Sequence, residues 1–120
     1  MFRYYNNNPN KEIKGDCVIR AISLALGMNY YKIQKQLIEN SKFFNCDVIV
    51  KDCYKILLEE EYGLKGIEAN NRTVEELLKD FPDNILIIRV PEHLTCSIYG
   101  TIYDIWDVSK EKVDMFWIVK

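Results

Sequence analysis

The chain has 120 residues, of which 48% are hydrophobic and 28% are charged, and its formal net charge is −2. This length and composition predict one globular domain over residues 1–120 and exclude a disordered chain. Lys and Arg are scattered along a weakly acidic sequence, which excludes an electrostatic nucleic-acid binder.

The sequence carries no pattern typical of a membrane span, an export signal or a metal site. No apolar run approaches the roughly 18 residues that cross a bilayer, and the first residues lack the basic and apolar regions of a signal peptide. We therefore expect a cytoplasmic protein with no membrane partner and with reduced thiols. One histidine and no C-x-x-C pair predict no metal site, and we expect no cofactor. The four cysteines are Cys17, Cys46, Cys53 and Cys96.

The first half of the chain predicts helices. The opening segment is polar and rich in Asn, which favours an irregular arm. Asp16 is placed to N-cap a helix that begins at Cys17, and Gly27 is placed to end it. Asn29 is placed to cap a second helix, and a third helix is predicted over residues 48–61.

The second half predicts a short helix and then a sheet. Residues 73–76 (Thr-Val-Glu-Glu) form a capping box, and the β-branched run 85–90 that follows predicts a buried strand. Segments 93–98 and 101–106, joined by a two-residue turn, predict a hairpin, and residues 115–119 predict a last strand. Helices first and an antiparallel sheet second predict an α+β fold.

Two positions stand out for their chemistry. Cys17 lies at the start of the first helix, where unpaired N–H groups and the positive end of the dipole stabilise a thiolate. His93 is the only histidine, and the strand that returns from its hairpin carries Asp104, with Asp107 just beyond. A Cys–His–acid relay needs these residue types, because the histidine takes the thiol proton and the carboxylate fixes the histidine tautomer.

The segment 15–22, Gly-Asp-Cys-Val-Ile-Arg-Ala-Ile, resembles the nucleophile helix of small papain-like cysteine peptidases, which are often encoded by phages. Residues 93–107 are similar to their second half, in which a His strand and a turn precede a return strand that ends in an acid. Bacteriocin-processing peptidases share the apolar strand before the histidine, as at 85–90. The resemblance implies a papain-like fold, with N-terminal helices packed on a C-terminal antiparallel sheet, and a thiolate–imidazolium pair that attacks an amide or thioester carbonyl.

Two acids compete for the third position of the relay. The two-residue turn pairs His93 with Trp106, so Asp104 shares the face of the histidine. The family pattern instead places the acid at the end of the return strand, which matches Asp107. We favour Asp107, with Asp104 as the alternative. Trp106 and Trp117 are expected in the core.

The resemblance also implies an oxyanion hole. Papain-like enzymes usually carry Gln six residues before the nucleophile, and that position here is Lys11. Asn10, one residue earlier, is the candidate that donates its side-chain amide together with the Cys17 backbone N–H.

The sequence therefore predicts a cysteine hydrolase that acts on a peptide, isopeptide or related amide bond of a protein or peptide substrate, with Cys17, His93 and Asp107 as its triad. The alternative is a catalytically weak binding module of the same fold, such as a phage-encoded antagonist of a host defence protein in the host cytoplasm. A third possibility is acyl transfer to an amine, as in transglutaminase-like relatives.

Overall fold

The computed structural model describes all residues, 1–120, and contains four α-helices and six β-strands. The helices are α1 (Cys17–Leu26), α2 (Tyr30–Phe44), α3 (Lys51–Ile56) and α4 (Val74–Asp80), and α3 continues as a π-helical turn (Leu57–Glu61). The strands are β1 (Phe2–Tyr4), β2 (Gly66–Glu68), β3 (Ile85–Val90), β4 (His93–Ile98), β5 (Thr101–Asp104) and β6 (Met115–Ile118). None of the helices is long and apolar enough to cross a bilayer.

Local capping signals set the ends of the helices. Gly27 adopts φ 64° after α1, and the Asn29 side chain accepts hydrogen bonds from the N–H groups of Tyr31 and Lys32 at the start of α2. Both predictions are confirmed. Asp16 precedes α1, but its side chain caps no backbone N–H, because Arg20 offers it a charge-assisted hydrogen bond. Asp16 thus occupies the predicted N-cap position before Cys17, but the predicted side-chain cap is absent.

The sheet is mixed, with the strand order β1-β5-β4-β3-β6-β2. The four central strands pair antiparallel, as the sequence predicts. At one edge β1 pairs parallel with β5, and at the other β2 pairs antiparallel with β6. The sequence did not predict these edge strands, because three residues are too few to show an alternating pattern. The expectations of a purely antiparallel sheet and of an irregular opening arm are corrected at β1.

Successive side chains of the central strands point to opposite faces of the sheet, so the core is divided between the two faces. On one face, Ile87 and Trp117 pack with α1, α2 and α3. On the other face, Leu86, Ile88 and Phe116 pack with α4. The helices thus contact both faces, and α1 reaches the sheet at β4, where the hairpin with His93 begins.

The start of α4 provides a test of the fold that lies outside the candidate site. Thr73 Oγ1 accepts from the Glu76 N–H, and the Glu76 carboxylate accepts from the Thr73 N–H, so both predicted parts of the capping box are present. Thr73→Ala removes the cap and should lower the free energy of unfolding by about 1 kcal/mol, measured by urea denaturation. Thr73→Ser keeps the hydroxyl and is the matched control. Equal stability of the alanine variant and the wild type would contradict this account.

Candidate active site

Cys17 lies at the first position of α1 and lines a cavity of about 560 Å³ together with His93. The first N–H groups of a helix have no partner within the helix, so those at the start of α1 are hydrogen-bond donors close in sequence to the Cys17 thiol. Cys17 is half-buried, and it is not part of a disulfide. The structure thus brings together the two residues that the sequence placed 76 positions apart.

The His93 imidazole is held by a carboxylate. Its Nε2–H donates to Asp104 Oδ2 over 2.7 Å, and the edge of the Trp106 ring packs against it with the ring centroids 4.9 Å apart. With Nε2 engaged by Asp104, Nδ1 is the ring nitrogen that remains for Cys17. The orientation of the ring is therefore fixed by β5, and its reactive edge is directed to α1.

Asp104 is 2% exposed, and its carboxylate accepts hydrogen bonds from several elements. Thr95 Oγ1 donates to Oδ2 over 2.6 Å, in addition to the bond from His93. The Ile105 N–H donates to Oδ1 over 2.7 Å, and Arg20 Nη1 donates to the same oxygen over 3.1 Å. A buried carboxylate with this many donors stays ionised, since each hydrogen bond favours the charged form.

Electrostatics at the site favour an ion pair between Cys17 and His93. Burial by itself raises the pKa of Cys17, but the hydrogen bonds from His93 and the Leu94 backbone and the positive charges of His93 and Arg20 outweigh it, and the net pKa is lowered. Burial lowers the pKa of His93, yet the hydrogen bonds to Asp104 and Cys17 and their negative charges raise it to about 9. A thiolate beside an imidazolium is the form that attacks a carbonyl carbon.

The pKa of Asp104 moves in the direction that this ion pair requires. Burial raises it, but the hydrogen bonds from His93, Thr95 and Arg20, with the positive charge of His93, lower it below the ordinary Asp value. Asp104 is therefore a carboxylate at neutral pH, where His93 is an imidazolium.

Asp107 does not lie against His93, which corrects the prediction that it orients the ring. It is exposed, and its Oδ1 accepts from the N–H of Ser109 over 3.0 Å and from the Ser109 hydroxyl. The hairpin register explains the difference. Ser97 pairs with Ile102 across a two-residue turn, so Asp104 falls diagonal to His93 on one face. β5 then ends at Asp104, and the chain turns away before Asp107.

Asn10 is also placed outside the site. It is exposed, its side-chain amide donates to Glu12 over 3.4 Å, and it does not line the cavity. Its backbone N–H is held by the Asn8 side chain over 2.9 Å, in a turn of the opening arm. The expected role of Asn10 in an oxyanion hole is therefore corrected. The unpaired N–H groups at the start of α1 are the donors that the structure offers near Cys17.

The two tryptophans differ in their surroundings. Trp117 is fully buried, as expected. Trp106 is 45% exposed, so its expected place in the core is wrong. It lies just after β5 and packs against the His93 ring in a T-shaped contact.

One wall of the cavity is a loop closed by a disulfide. Cys46 and Cys53 are bonded, with their Cα atoms 5.6 Å apart, so the expectation of reduced thiols is wrong for this pair. Four consecutive residues within this loop, 49–52, line the cavity. Ile49 and Val50 present apolar side chains there, while Lys51 is paired with Asp114 over 3.4 Å.

Arg20 and Thr95 contribute to the site and were not predicted from the sequence. Arg20 follows Asp16 by four residues, the spacing at which an acid and a base meet on a helix. An arginine within an otherwise apolar helical stripe is the signal that could have identified Arg20, because a buried arginine needs a carboxylate partner. Thr95 had no such signal, since a threonine in a strand is ordinary.

We compared the chain with protein-family models, with curated protein sequences and with solved structures, and no significant match was found in any of the three comparisons.

The two acids can be separated by mutation. Asp104→Asn should slow alkylation of Cys17 by iodoacetamide at pH 7 by at least about tenfold, because the imidazolium that lowers the Cys17 pKa loses its carboxylate. Asp107→Asn, the matched control, should leave the rate within about twofold of wild type, since exposed groups contribute little. Urea denaturation of both variants checks that they fold. The reverse ranking of the two rates would contradict the geometry described above.

The disulfide loop gives a second test. Alkylation of the unfolded wild type without reductant should add two carbamidomethyl groups by mass spectrometry, and four after reduction, because only Cys17 and Cys96 are free. Cys46→Ser opens a short loop and should lower the free energy of unfolding by roughly 2 kcal/mol. Reductant should destabilise the wild type and leave the Cys46→Ser variant unchanged. Four modified thiols without reductant would refute the bond.

Proposed function

We propose that the chain is a papain-like cysteine hydrolase that cleaves a peptide, isopeptide or related amide bond, with Cys17 as nucleophile, His93 as general acid and base, and Asp104 as the residue that orients His93. The observation that supports this most directly is the 2.7 Å hydrogen bond from His93 Nε2–H to a buried Asp104, which leaves Nδ1 for Cys17. The lowered pKa of Cys17 and the raised pKa of His93 support the same reading.

The proposed reaction proceeds in two stages. The Cys17 thiolate attacks the carbonyl carbon, and the oxyanion accepts hydrogen bonds from N–H groups at the start of α1. As the C–N bond breaks, His93 gives its Nδ1 proton to the leaving amine, and an acyl thioester remains on Cys17. Water then attacks the thioester while His93 takes one of its protons. The carboxylic acid departs and the thiolate–imidazolium pair is restored.

The cavity supplies room for the acyl part of the substrate. Val18, Tyr54 and Leu94 line it beside Cys17, and the disulfide-closed loop forms the opposite wall. Half of the lining residues are apolar and several of the others are charged, so the cavity offers both apolar and polar contacts to a peptide segment whose scissile carbonyl reaches Cys17.

An electrophilic peptide mimic tests the proposal against a merely reactive thiol. A peptidyl vinyl sulfone adds to a thiolate only when the carbanion formed on it receives a proton, which His93 would supply, whereas iodoacetamide needs only the thiolate. The wild type should be labelled at Cys17 by both reagents. His93→Gln should lose vinyl sulfone labelling by on the order of 10²- to 10⁴-fold and keep iodoacetamide labelling at high pH.

The control is Cys17→Ala, which should fold and be labelled at this position by neither reagent. Vinyl sulfone labelling that does not depend on His93 would contradict the proposal. A folded Cys17→Ala variant that keeps the full cellular effect and still binds its partner would instead establish the binding-module alternative, in which the protein acts by occupying a host protein.

The pKa shifts of Cys17 and His93 predict how the rate of vinyl sulfone labelling depends on pH. Labelling by a vinyl sulfone should rise as Cys17 ionises below the ordinary thiol pKa, because the thiolate is the attacking form. It should fall again as the pH passes about 9, where His93 loses the proton that it would donate. A bell-shaped profile of the labelling rate constant against pH is therefore expected. A rate that keeps rising to pH 10 would show that no imidazolium takes part.

A further inference from the structure

A buried ion pair lies behind the candidate catalytic residues. Arg20 Nε donates to Asp16 Oδ1 over 2.8 Å, and the two side chains are 5% and 3% exposed. The other arm of the same guanidinium, Nη1, donates to Asp104 Oδ1 over 3.1 Å. Arg20 therefore joins the residue that precedes Cys17 to the carboxylate that holds His93.

This arrangement links the helix of the nucleophile to the hairpin of the histidine. Cys17 and Arg20 are three positions apart on α1, so they lie on neighbouring parts of one helical face. Asp104 lies at the end of β5, and its ion pair with Arg20 is a charged contact from α1 to the hairpin. Because the guanidinium is planar and presents its N–H groups as a rigid fork, it fixes direction as well as charge.

Asp16, the partner of Arg20 in the buried ion pair, is itself held by two further hydrogen bonds. The Tyr30 hydroxyl donates to Asp16 Oδ2 over 2.7 Å, and Asn8 Nδ2 donates to the same oxygen over 2.9 Å. Asn8 itself is 2% exposed, so the opening arm of the chain is packed against this group. Both oxygens of Asp16 thereby accept hydrogen bonds, Oδ1 from Arg20 and Oδ2 from Tyr30 and Asn8.

The pKa directions agree with this geometry. Burial lowers the pKa of Arg20, but its hydrogen bonds to Asp16 and Asp104 raise it overall. For Asp16, burial raises the pKa, and the hydrogen bonds from Tyr30, Arg20 and Asn8 lower it overall. The pair is therefore fully ionised at neutral pH.

We propose that Arg20 is a positioning residue for Cys17 and His93: it holds the Asp104 carboxylate in the orientation that fixes the His93 ring, and Asp16 holds Arg20 in turn. The consequence for catalysis rests on the hydrolase function proposed above. The effect on Cys17 reactivity does not, because alkylation of a thiol by iodoacetamide needs no turnover.

The rival explanation is that the ion pair only stabilises the fold. A double variant, Arg20→Met with Asp16→Asn, separates the two. Removing both members avoids an uncompensated buried charge, so the double variant should be more stable to urea than Arg20→Met alone. If Arg20 positions the site, the double variant should still alkylate Cys17 at least about tenfold more slowly than wild type at pH 7, with the midpoint of its pH profile moved upward.

Arg20→Lys distinguishes the positioning of Asp104 from the effect of the positive charge on Cys17. Arg20→Lys keeps a positive charge but has no fork to reach two carboxylates, so it should also slow Cys17 alkylation several-fold. If the double variant does not fold, Arg20→Lys decides the matter alone. Arg72→Met, which removes an exposed Arg–Asp pair remote from the cavity, is the matched control and should leave the rate unchanged.

The pH profile of Cys17 alkylation depends on all the charges near the thiol. Those around Cys17 come from α1 and the residue before it, from β4, from the end of β5 and from the cavity rim, namely Arg20, Asp16, His93, Asp104, Lys51, Asp52, Arg89 and Glu92. The rim groups are unchanged in each variant, so a shift in the midpoint of Arg20→Lys reports on Arg20 and the carboxylates that it contacts, and a shift in the double variant includes the loss of the Asp16 charge.

Wild-type alkylation rates and an unshifted midpoint in either the folded double variant or Arg20→Lys would overturn the proposal. Failure of the hydrolase function would appear differently, as wild-type protein that reacts with iodoacetamide in an Arg20-dependent way but is not labelled by the vinyl sulfone.

Discussion

The candidate site depends on the need of one buried carboxylate, Asp104, for hydrogen-bond donors. A buried charge without partners costs several kcal/mol, so the elements around Asp104 must meet there in a defined arrangement. The donors come from β4, from the backbone after β5 and from α1. Satisfying this carboxylate sets the orientation of the hairpin relative to the helix, and it thereby brings His93 beside Cys17. The hydrogen bonds that hold the fold together around Asp104 thus also assemble the candidate site.

The electrostatic balance shows why such a network is needed. Burial opposes both members of the proposed ion pair, since it raises the pKa of Cys17 and lowers that of His93. His93, the Leu94 backbone and Arg20 lower the pKa of Cys17 past this penalty. Asp104 and Cys17 raise the pKa of His93 past it. The same Arg20 is neutralised by two carboxylates, so the charge that favours the thiolate is itself compensated.

Much of the fold could be predicted from the sequence, because caps and apolar periodicity are local signals; Gly27, Asn29 and the capping box at Thr73 are confirmed. The turn length also gave the register that places Asp104 on the face of His93, whereas the family pattern pointed to Asp107, which lies beyond the end of β5. Edge strands of three residues leave too short a pattern to recognise. The Cys46–Cys53 bond and the buried partners of Asp16 depend on which segments meet in three dimensions, and no local signal reports that.

His93 is the only histidine, so a pH titration followed by NMR of its ring resonances reports on the central ion pair without ambiguity. The account predicts an imidazolium at neutral pH that titrates near pH 9, and a lower pKa in Cys17→Ala, where the negative partner is gone. A wild-type pKa close to the ordinary value of 6.5, unchanged in Cys17→Ala, would show that Cys17 and His93 form no ion pair and would contradict the account.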